Sequence, residues 1–142
     1  MSSKYESGIR QIPYSQQRVY DKLSDLSFMQ QYQDNLSQIP SDTINVEDLQ
    51  FTPDGFSCRV SPFGNVDLQI VEREEPKCIK LETTSSPVPL TFWVQILPTS
   101  DESSKIKLTL HAELNFFLKG ILNKPISDGM EKLADALAAM PY

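Results

Sequence analysis

The chain has 142 residues, of which 39% are hydrophobic and 23% charged, and this length and composition are typical of one globular domain with a single core. Its formal net charge of -6 argues against binding to nucleic acid or to an anionic membrane surface, because both need clustered Lys and Arg side chains. No segment has the apolar length of a membrane span or of a secretion signal. We therefore expect one domain over residues 1–142, located in the cytoplasm and without a membrane span.

The two cysteines, Cys58 and Cys78, are far apart in sequence and have no neighbouring histidine. This pattern does not match a zinc site or a disulfide framework, and it fits free thiols in a reducing compartment. The sequence therefore predicts neither a metal nor a cofactor.

The first predicted elements are a strand and two short helices. Residues 5–12 have strand character, and Pro13 ends the strand because it has no N–H to donate. Ser15 is a suitable N-cap for the first helix. The apolar residues that share one face of this helix are Val19, Leu23 and Leu26. A second short helix is predicted over residues 28–36.

Residues 43–114 consist of short alternating segments separated by turn residues, which predicts six antiparallel strands in a meander. Every second side chain is apolar, so one face of the sheet should be dry and the other wet. The dry-face residues are Phe56, Cys58, Val60, Val66, Leu68, Ile70, Ile79, Leu81, Phe92, Val94, Ile96, Ile106, Leu108, Leu110, Ala112 and Leu114. Trp93 and His111 fall in the alternate set and should face water.

The last predicted element is a long helix that begins after Asn115, its N-cap, and runs to about Ala139. Its apolar stripe consists of Phe117, Ile121, Ile126, Met130, Leu133, Ala134 and Leu137. Pro125 removes a backbone donor and predicts a bend after Gly120. The sequence thus predicts an α+β fold in which a curved seven-stranded antiparallel sheet wraps around the long helix.

This order of elements resembles the START-like, or SRPBCC, superfamily, which includes the major birch-pollen allergen, lipid-transport domains and polyketide cyclase/dehydrase-like proteins. The local sequence that carries the resemblance is Ile12-Pro13, Ser15, Val19-Tyr20 and the Leu-Ser-Asp-Leu of residues 23–26. It is similar to the strand-end proline, capped helix, valine-aromatic pair and Leu-Ser-Asp closure of that superfamily. The resemblance implies the helix-grip fold with a cavity between sheet and helix. It implies no particular reaction, because members include carriers, receptors, cyclases and chaperone activators.

The space between the sheet and the helix should be lined by apolar side chains. The predicted lining is Val60, Leu68, Leu81, Phe92, Val94, Leu108, Leu110, Phe117, Ile121, Met130, Leu133 and Leu137. Three connections at one end of the meander place Phe63, Val88 and Phe116 around a predicted mouth. Such large side chains are also able to fill the space, so an open cavity and a packed core are both compatible with the pattern.

No residue pattern marks a catalytic group. His111, Glu82 and Glu113 all have outward parity, whereas a general acid or base would have to face the cavity. Trp93 is a candidate anchor for a homodimer through the wet sheet face, because tryptophan is favoured at interface hot spots.

The leading hypothesis is binding or carriage of a hydrophobic small molecule or lipid, without an assigned catalytic residue. Two alternatives stay open. The resemblance implies a polyketide cyclase/dehydrase-like enzyme, and Trp93 with the large lining side chains indicates a protein-interaction module that has a filled core.

Overall fold

The computed structural model describes residues 2–32, 45–61, 64–86 and 88–142. The strand segments are β1 (Ser2–Glu6), β2 (Arg10–Ile12), β3 (Asn45–Thr52), β4 (Gly55–Ser61), β5 (Gly64–Glu74), β6 (Cys78–Ser85), β7 (Leu90–Ser100) and β8 (Ser103–Glu113). The helices are α1 (Gln16–Leu23), a 3-10 helix (Leu26–Tyr32) and α2 (Phe116–Ala138).

The strands form one antiparallel sheet in the order β1-β8-β7-β6-β5-β4-β3, and β2 also pairs with β8. The predicted first strand, 5–12, therefore begins earlier than expected and is broken at residues 7–9. The break coincides with a long-range hydrogen bond, because the Ser7 hydroxyl accepts the N–H of Leu108 at 3.0 Å in place of a backbone carbonyl. Since β1 and β2 occupy the same position beside β8, the sheet is seven strands wide, as predicted.

The predicted N-cap of α1 is confirmed, because the Ser15 hydroxyl accepts the N–H of Arg18 at 3.2 Å. The second short helix is a 3-10 helix that begins at Leu26, two residues before the predicted start. The predicted residues 33–36 lie outside the described part of the chain.

The last helix, α2, begins as predicted, with the Asn115 side-chain oxygen accepting the N–H of Leu118 at 2.8 Å. It contains Pro125 and continues as a single element to Ala138. The bend predicted before Pro125 stays a prediction. The helix packs against β1, β2 and β8, which together form one side of the sheet.

An ion-pair cluster attaches α2 to the break in the first strand. Arg10 contacts Glu131 at 2.5 Å and Asp135 at 2.6 Å, and the N–H of Gly8 donates to Glu131 at 2.7 Å. Residues on two successive turns of α2 thus hold the irregular segment 7–9.

The core lies between the sheet and α2, and the predicted dry-face residues are buried or half-buried there. Ile96, Ile106 and Leu108 are completely enclosed. In the part of the chain that the structure describes, no helix combines the length and apolar character needed to cross a membrane.

Candidate functional site

A cavity of about 220 Å³ lies between the sheet and the helices. Its lining comes from α1, the 3-10 helix, β3, β4, β6, β7 and α2. The described lining residues are Leu23, Leu26, Met29, Val46, Leu49, Phe51, Phe56, Cys58, Ile79, Leu81, Phe92, Val94, Leu133 and Leu137. Within this set the thiol of Cys58 is the most polar group, so the cavity offers almost no partners to bound water.

The position of α2 accounts for the cavity. The helix packs on the side of the sheet formed by β1, β2 and β8, and therefore leaves the side from β3 to β7 at a greater distance. Leu133 and Leu137 extend from α2 toward that side and form one wall. The side chains of the opposite wall come from the concave face of the sheet.

The 3-10 helix closes one end of the cavity with Leu26 and Met29. It is tied to the β3–β4 hairpin, because the N–H of Leu26 donates to the carbonyl of Pro53 at 3.2 Å. The side chain of Gln30 accepts the N–H of Phe51 at 2.8 Å. These bonds hold the closing element against the edge of the sheet.

Strand β3 contributes three lining residues because its alternation is interrupted. The register shifts between Glu47 and Gln50, and Asp48 adopts a left-handed backbone conformation with φ of 55°. Such a bulge adds one residue to the strand and changes which side chains face inward. As a result Val46, Leu49 and Phe51 all reach the cavity, at spacings of three and two.

The structure brings five of the twelve predicted lining residues to this cavity: Leu81, Phe92, Val94, Leu133 and Leu137. Their part in ligand binding stays a prediction. The other seven are Val60, Leu68, Leu108, Leu110, Phe117, Ile121 and Met130, and none of them is in the lining.

The seven residues outside the lining differ in their burial. Leu68, Leu108 and Met130 are buried in the core, where neighbouring side chains fill the space around them. Val60, Leu110 and Ile121 are half-buried and pack against the same core. Phe117 lies on the outer side of α2 and is 71% exposed, so its assignment to the cavity was wrong.

The predicted mouth is not next to the cavity in the described residues. Phe116 is 89% exposed, and Val88 is half-buried against the core, but neither belongs to the lining. Phe63 lies outside the described residues. The mouth stays a prediction.

Solved structures with the same arrangement define the fold. Norcoclaurine synthase from Thalictrum flavum, as a point mutant in complex with a transition state analogue, has a TM-score of 0.67 and 14% identity, covering 97% of this chain and 92% of that chain. A protein from Thermus thermophilus has a TM-score of 0.63 and 17% identity, covering 96% and 94%. A START superfamily protein from Mycobacterium smegmatis has a TM-score of 0.51 and 14% identity, covering 96% and 97%.

This chain has the START-like helix-grip fold. No protein-family model and no curated protein matches its sequence. At identities of 17% or less, the solved structures establish the architecture of the START-like domain and leave its ligand to be inferred from its own residues.

The cavity of this START-like domain also contains residues that the sequence-based lining omitted. Leu23 and Leu26 had been assigned to one face of the first helix, and Met29 lies within the second predicted helix, but the surface that these side chains would cover was unknown. Phe56, Cys58 and Ile79 belonged to the predicted dry face without being assigned to the cavity. The residues of β3 were missed because the bulge breaks the period of two.

Polar residues that could contact a ligand, including Glu82 and Glu113 considered from the sequence, lie outside the described cavity lining. Arg10 is in the ion-pair cluster with α2, and Tyr14 packs edge-on against Tyr142. Tyr5 is buried in the core, and its desolvation raises the pKa of the phenol. Glu82 and Glu113 are exposed strand residues.

Among the described lining residues there is no carboxylate, imidazole or phenol. Burial raises the pKa of the Cys58 thiol to about 11, with a further contribution from the charge of Asp67, so the thiol is protonated at neutral pH. Within the described residues no group of His, Cys, Asp and Glu is arranged to hold a metal ion.

Trp93 lies on the wet face of the sheet, as predicted, but it is half-buried instead of exposed. The ring meets His111 edge-on at a centroid distance of 4.6 Å, and the Lys80 ammonium lies 5.7 Å from its centroid. These neighbours come from the adjacent strands β8 and β6 and cover part of the indole. A homodimer contact is therefore not needed to explain the position of Trp93.

Proposed function

We propose that this START-like domain binds a small, uncharged, apolar molecule in the cavity between the sheet and α2. The observation that carries the proposal is the lining, which in its described part consists of aliphatic, aromatic and thioether side chains and one protonated thiol. Atoms that face an empty apolar space lack the dispersion contacts of a packed interior. A ligand of matching shape restores those contacts without having to displace well-bound water.

The volume limits the size of the ligand. About 220 Å³ exceeds an apolar cavity of about 150 Å³, which is enough for benzene, and is smaller than the roughly 300 Å³ at which sites for drug-sized molecules begin. A one- or two-ring aromatic molecule or a compact branched hydrocarbon fits this range, and a lipid with two acyl chains does not. Norcoclaurine synthase, which shares the fold, has been solved with dopamine and hydroxybenzaldehyde, which are single-ring compounds.

Ligand-dependent thermal unfolding with a matched pair of variants tests the proposal. Indole, naphthalene and a branched hydrocarbon serve as probes of increasing size. A ligand that binds the folded state at 100 times its Kd stabilises it by about 2.7 kcal/mol and raises Tm. Leu133→Trp narrows the cavity and should reduce the shift, most strongly for the largest probe, whereas Leu97→Trp, at an exposed strand position, should retain it.

Two results would contradict the proposal. One is the absence of a Tm shift with every probe at saturating concentration. The other is an equal shift of the largest probe for the wild type and Leu133→Trp, because binding would then occur outside the cavity.

The proposal does not extend to catalysis. A cyclase or dehydrase needs a general acid or base within hydrogen-bonding reach of its substrate, and none of the described lining residues supplies one.

The homodimer through Trp93 and the cytoplasmic location also stay predictions. Light scattering of the wild type and of Trp93→Ala tests the dimer directly.

A further inference from the structure

Two adjacent phenylalanines at the start of α2 are the most exposed large apolar side chains of the described chain. Phe116 is 89% exposed and Phe117 71% exposed, whereas Leu118 and Leu122 on the inner side of the helix pack toward the core. Gly120, one turn after Phe116 and Phe117, has open space around it. Exposed apolar groups concentrated at one place on a folded protein mark a contact surface more often than isolated ones do.

The topology places one uncharged connection near these rings. Strands β6 and β7 are joined by residues 85–90 at the same end of the sheet at which α2 begins, and this part of the sequence contains no charged residue. The N–H of Glu113 donates to the carbonyl of Pro89 at 3.1 Å, which fixes the start of β7 next to the start of α2. We call this end of the molecule, with Phe116 and Phe117 at its centre, the Phe tip.

The first turns of α2 have a charge of the opposite sign to that of the whole protein. Residues 114–127 contain Lys119 and Lys124 and no acid, although the chain has 19 acidic residues. The acids at this end of the strands are Glu113, Asp67 and Glu47, and Glu47 is paired with Arg59. The amino end of α2 adds the positive end of its helix dipole. The net charge of -6, which argued against an anionic membrane surface, therefore conceals a local region that such a surface would attract.

We propose that Phe116, Phe117, Lys119 and Lys124 dock the protein on a lipid bilayer that contains anionic lipid. Phenylalanine rings enter the boundary between headgroups and acyl chains, and lysines beside them contact the phosphates. This surface lies outside the cavity, so docking goes beyond the proposed ligand binding and does not depend on it.

The area of the Phe tip favours a bilayer over a protein partner. Two phenylalanine side chains bury together at most about 300–500 Å². A stable protein interface buries about 800 Å² on each partner, which is more than the two rings supply. Insertion into a bilayer needs no complementary surface, because the lipids surround the rings on all sides.

Co-sedimentation with vesicles tests the proposal on the full chain. Wild-type protein should bind vesicles of phosphatidylcholine with phosphatidylserine more tightly than vesicles of phosphatidylcholine alone. The double variant Phe116→Ser/Phe117→Ser should lower the partition coefficient by at least about tenfold on both. Lys119→Gln/Lys124→Gln should abolish the preference for phosphatidylserine and its dependence on salt.

The matched control is Val71→Ser/Leu97→Ser, which removes two exposed apolar side chains at the opposite end of the sheet and should leave vesicle binding unchanged. Gly120→Leu adds an apolar side chain where the helix surface is open and should strengthen binding. Because leucine also favours a helix over glycine, this variant is not expected to unfold the protein.

The proposal is overturned if wild-type protein binds neither kind of vesicle, or if the Phe116→Ser/Phe117→Ser variant binds as tightly as the wild type. It is also overturned if the rings mediate self-association, seen as a dimer in light scattering that this variant loses while vesicle binding is absent. None of these outcomes depends on a ligand in the cavity, so each is separate from a failure of the proposed function.

Discussion

At the scale of a single residue, the reactivity of the Cys58 thiol tests whether this side chain is enclosed in the cavity. Burial, helped by the charge of Asp67, raises the pKa of its thiol to about 11, so roughly one thiol in a thousand is ionised at pH 8. In a Cys78→Ser variant, we expect slow alkylation of Cys58 whose rate rises about tenfold per pH unit up to pH 11. Mass spectrometry measures the rate, and an apolar ligand should reduce it further.

The reverse variant, Cys58→Ser, provides the control. Its remaining thiol, Cys78, lies on the opposite face of the sheet and should be alkylated at the same rate with and without ligand. Fast alkylation of Cys58 at neutral pH would contradict its enclosure in the cavity.

Asp48 determines which β3 side chains face the cavity, through its left-handed backbone conformation. Glycine adopts this conformation without steric cost, whereas valine is strongly disfavoured. We expect Asp48→Gly to be neutral or stabilising and Asp48→Val to lose about 1–2 kcal/mol in urea unfolding. Gln50→Val, at an exposed position of the same strand, should change stability by less than about 0.5 kcal/mol. Equal effects of the two valine substitutions would contradict this account of the bulge.

At the scale of elements, the Arg10 cluster couples α2 to the broken first strand. The Arg10 guanidinium, with the N–H of Gly8, lowers the pKa of Glu131 below its usual 4.5. A carboxylate with a lowered pKa in the folded state stabilises the fold above the unfolded pKa, and this contribution is lost as the pH falls through the folded pKa. Glu131→Gln should therefore reduce the free energy of unfolding at neutral pH.

The pH dependence of that variant is the decisive part of the prediction. The difference in urea midpoint between wild type and Glu131→Gln should shrink as the pH falls below 4.5 and vanish once Glu131 is protonated. Glu102→Gln in an exposed turn is the control and should show little difference at any pH. A difference for Glu131→Gln that is constant across this range would show that the ion pairs do not stabilise the fold.

The elements themselves were largely predictable, because their signals are local. Ser15 and Asn115 cap the helices they were expected to cap, and the period of two identified strands β4 to β8. The break after β1 was not predictable, since it depends on the hydroxyl of Ser7 accepting an N–H from Leu108, far along the chain. The bulge at Asp48 likewise depends on the register between two strands.

At the scale of the whole molecule, the sequence predicted which faces meet but not the distance between them. Leu81 and Leu108 both point from the concave face of the sheet toward α2, yet the first lines the cavity and the second is fully enclosed. The difference arises because α2 lies against one side of the sheet, a placement set by the Arg10 cluster and by the packing of many residues together. Alternation along a strand contains no information on that placement.

Because α2 lies against one side of the sheet, truncating side chains on the two sides should reduce the free energy of unfolding by different amounts. Leu108→Ala creates a new hole in a filled region and should cost about 3–5 kcal/mol in urea unfolding. Leu133→Ala enlarges a space that already exists, removes fewer contacts and should cost about 2 kcal/mol or less. Similar losses in the free energy of unfolding for the two variants would show that the space beside Leu133 is filled in solution.

The most direct test of the central claim is methyl NMR of the protein with labelled leucine and valine during titration with an apolar ligand such as naphthalene. We expect chemical-shift changes at Leu81, Val94, Leu133 and Leu137, which line the cavity, and none at Leu97, which is exposed on the outer face. Binding inside the cavity would be contradicted by shifts confined to surface methyl groups, or by no shift at any methyl group at saturating ligand.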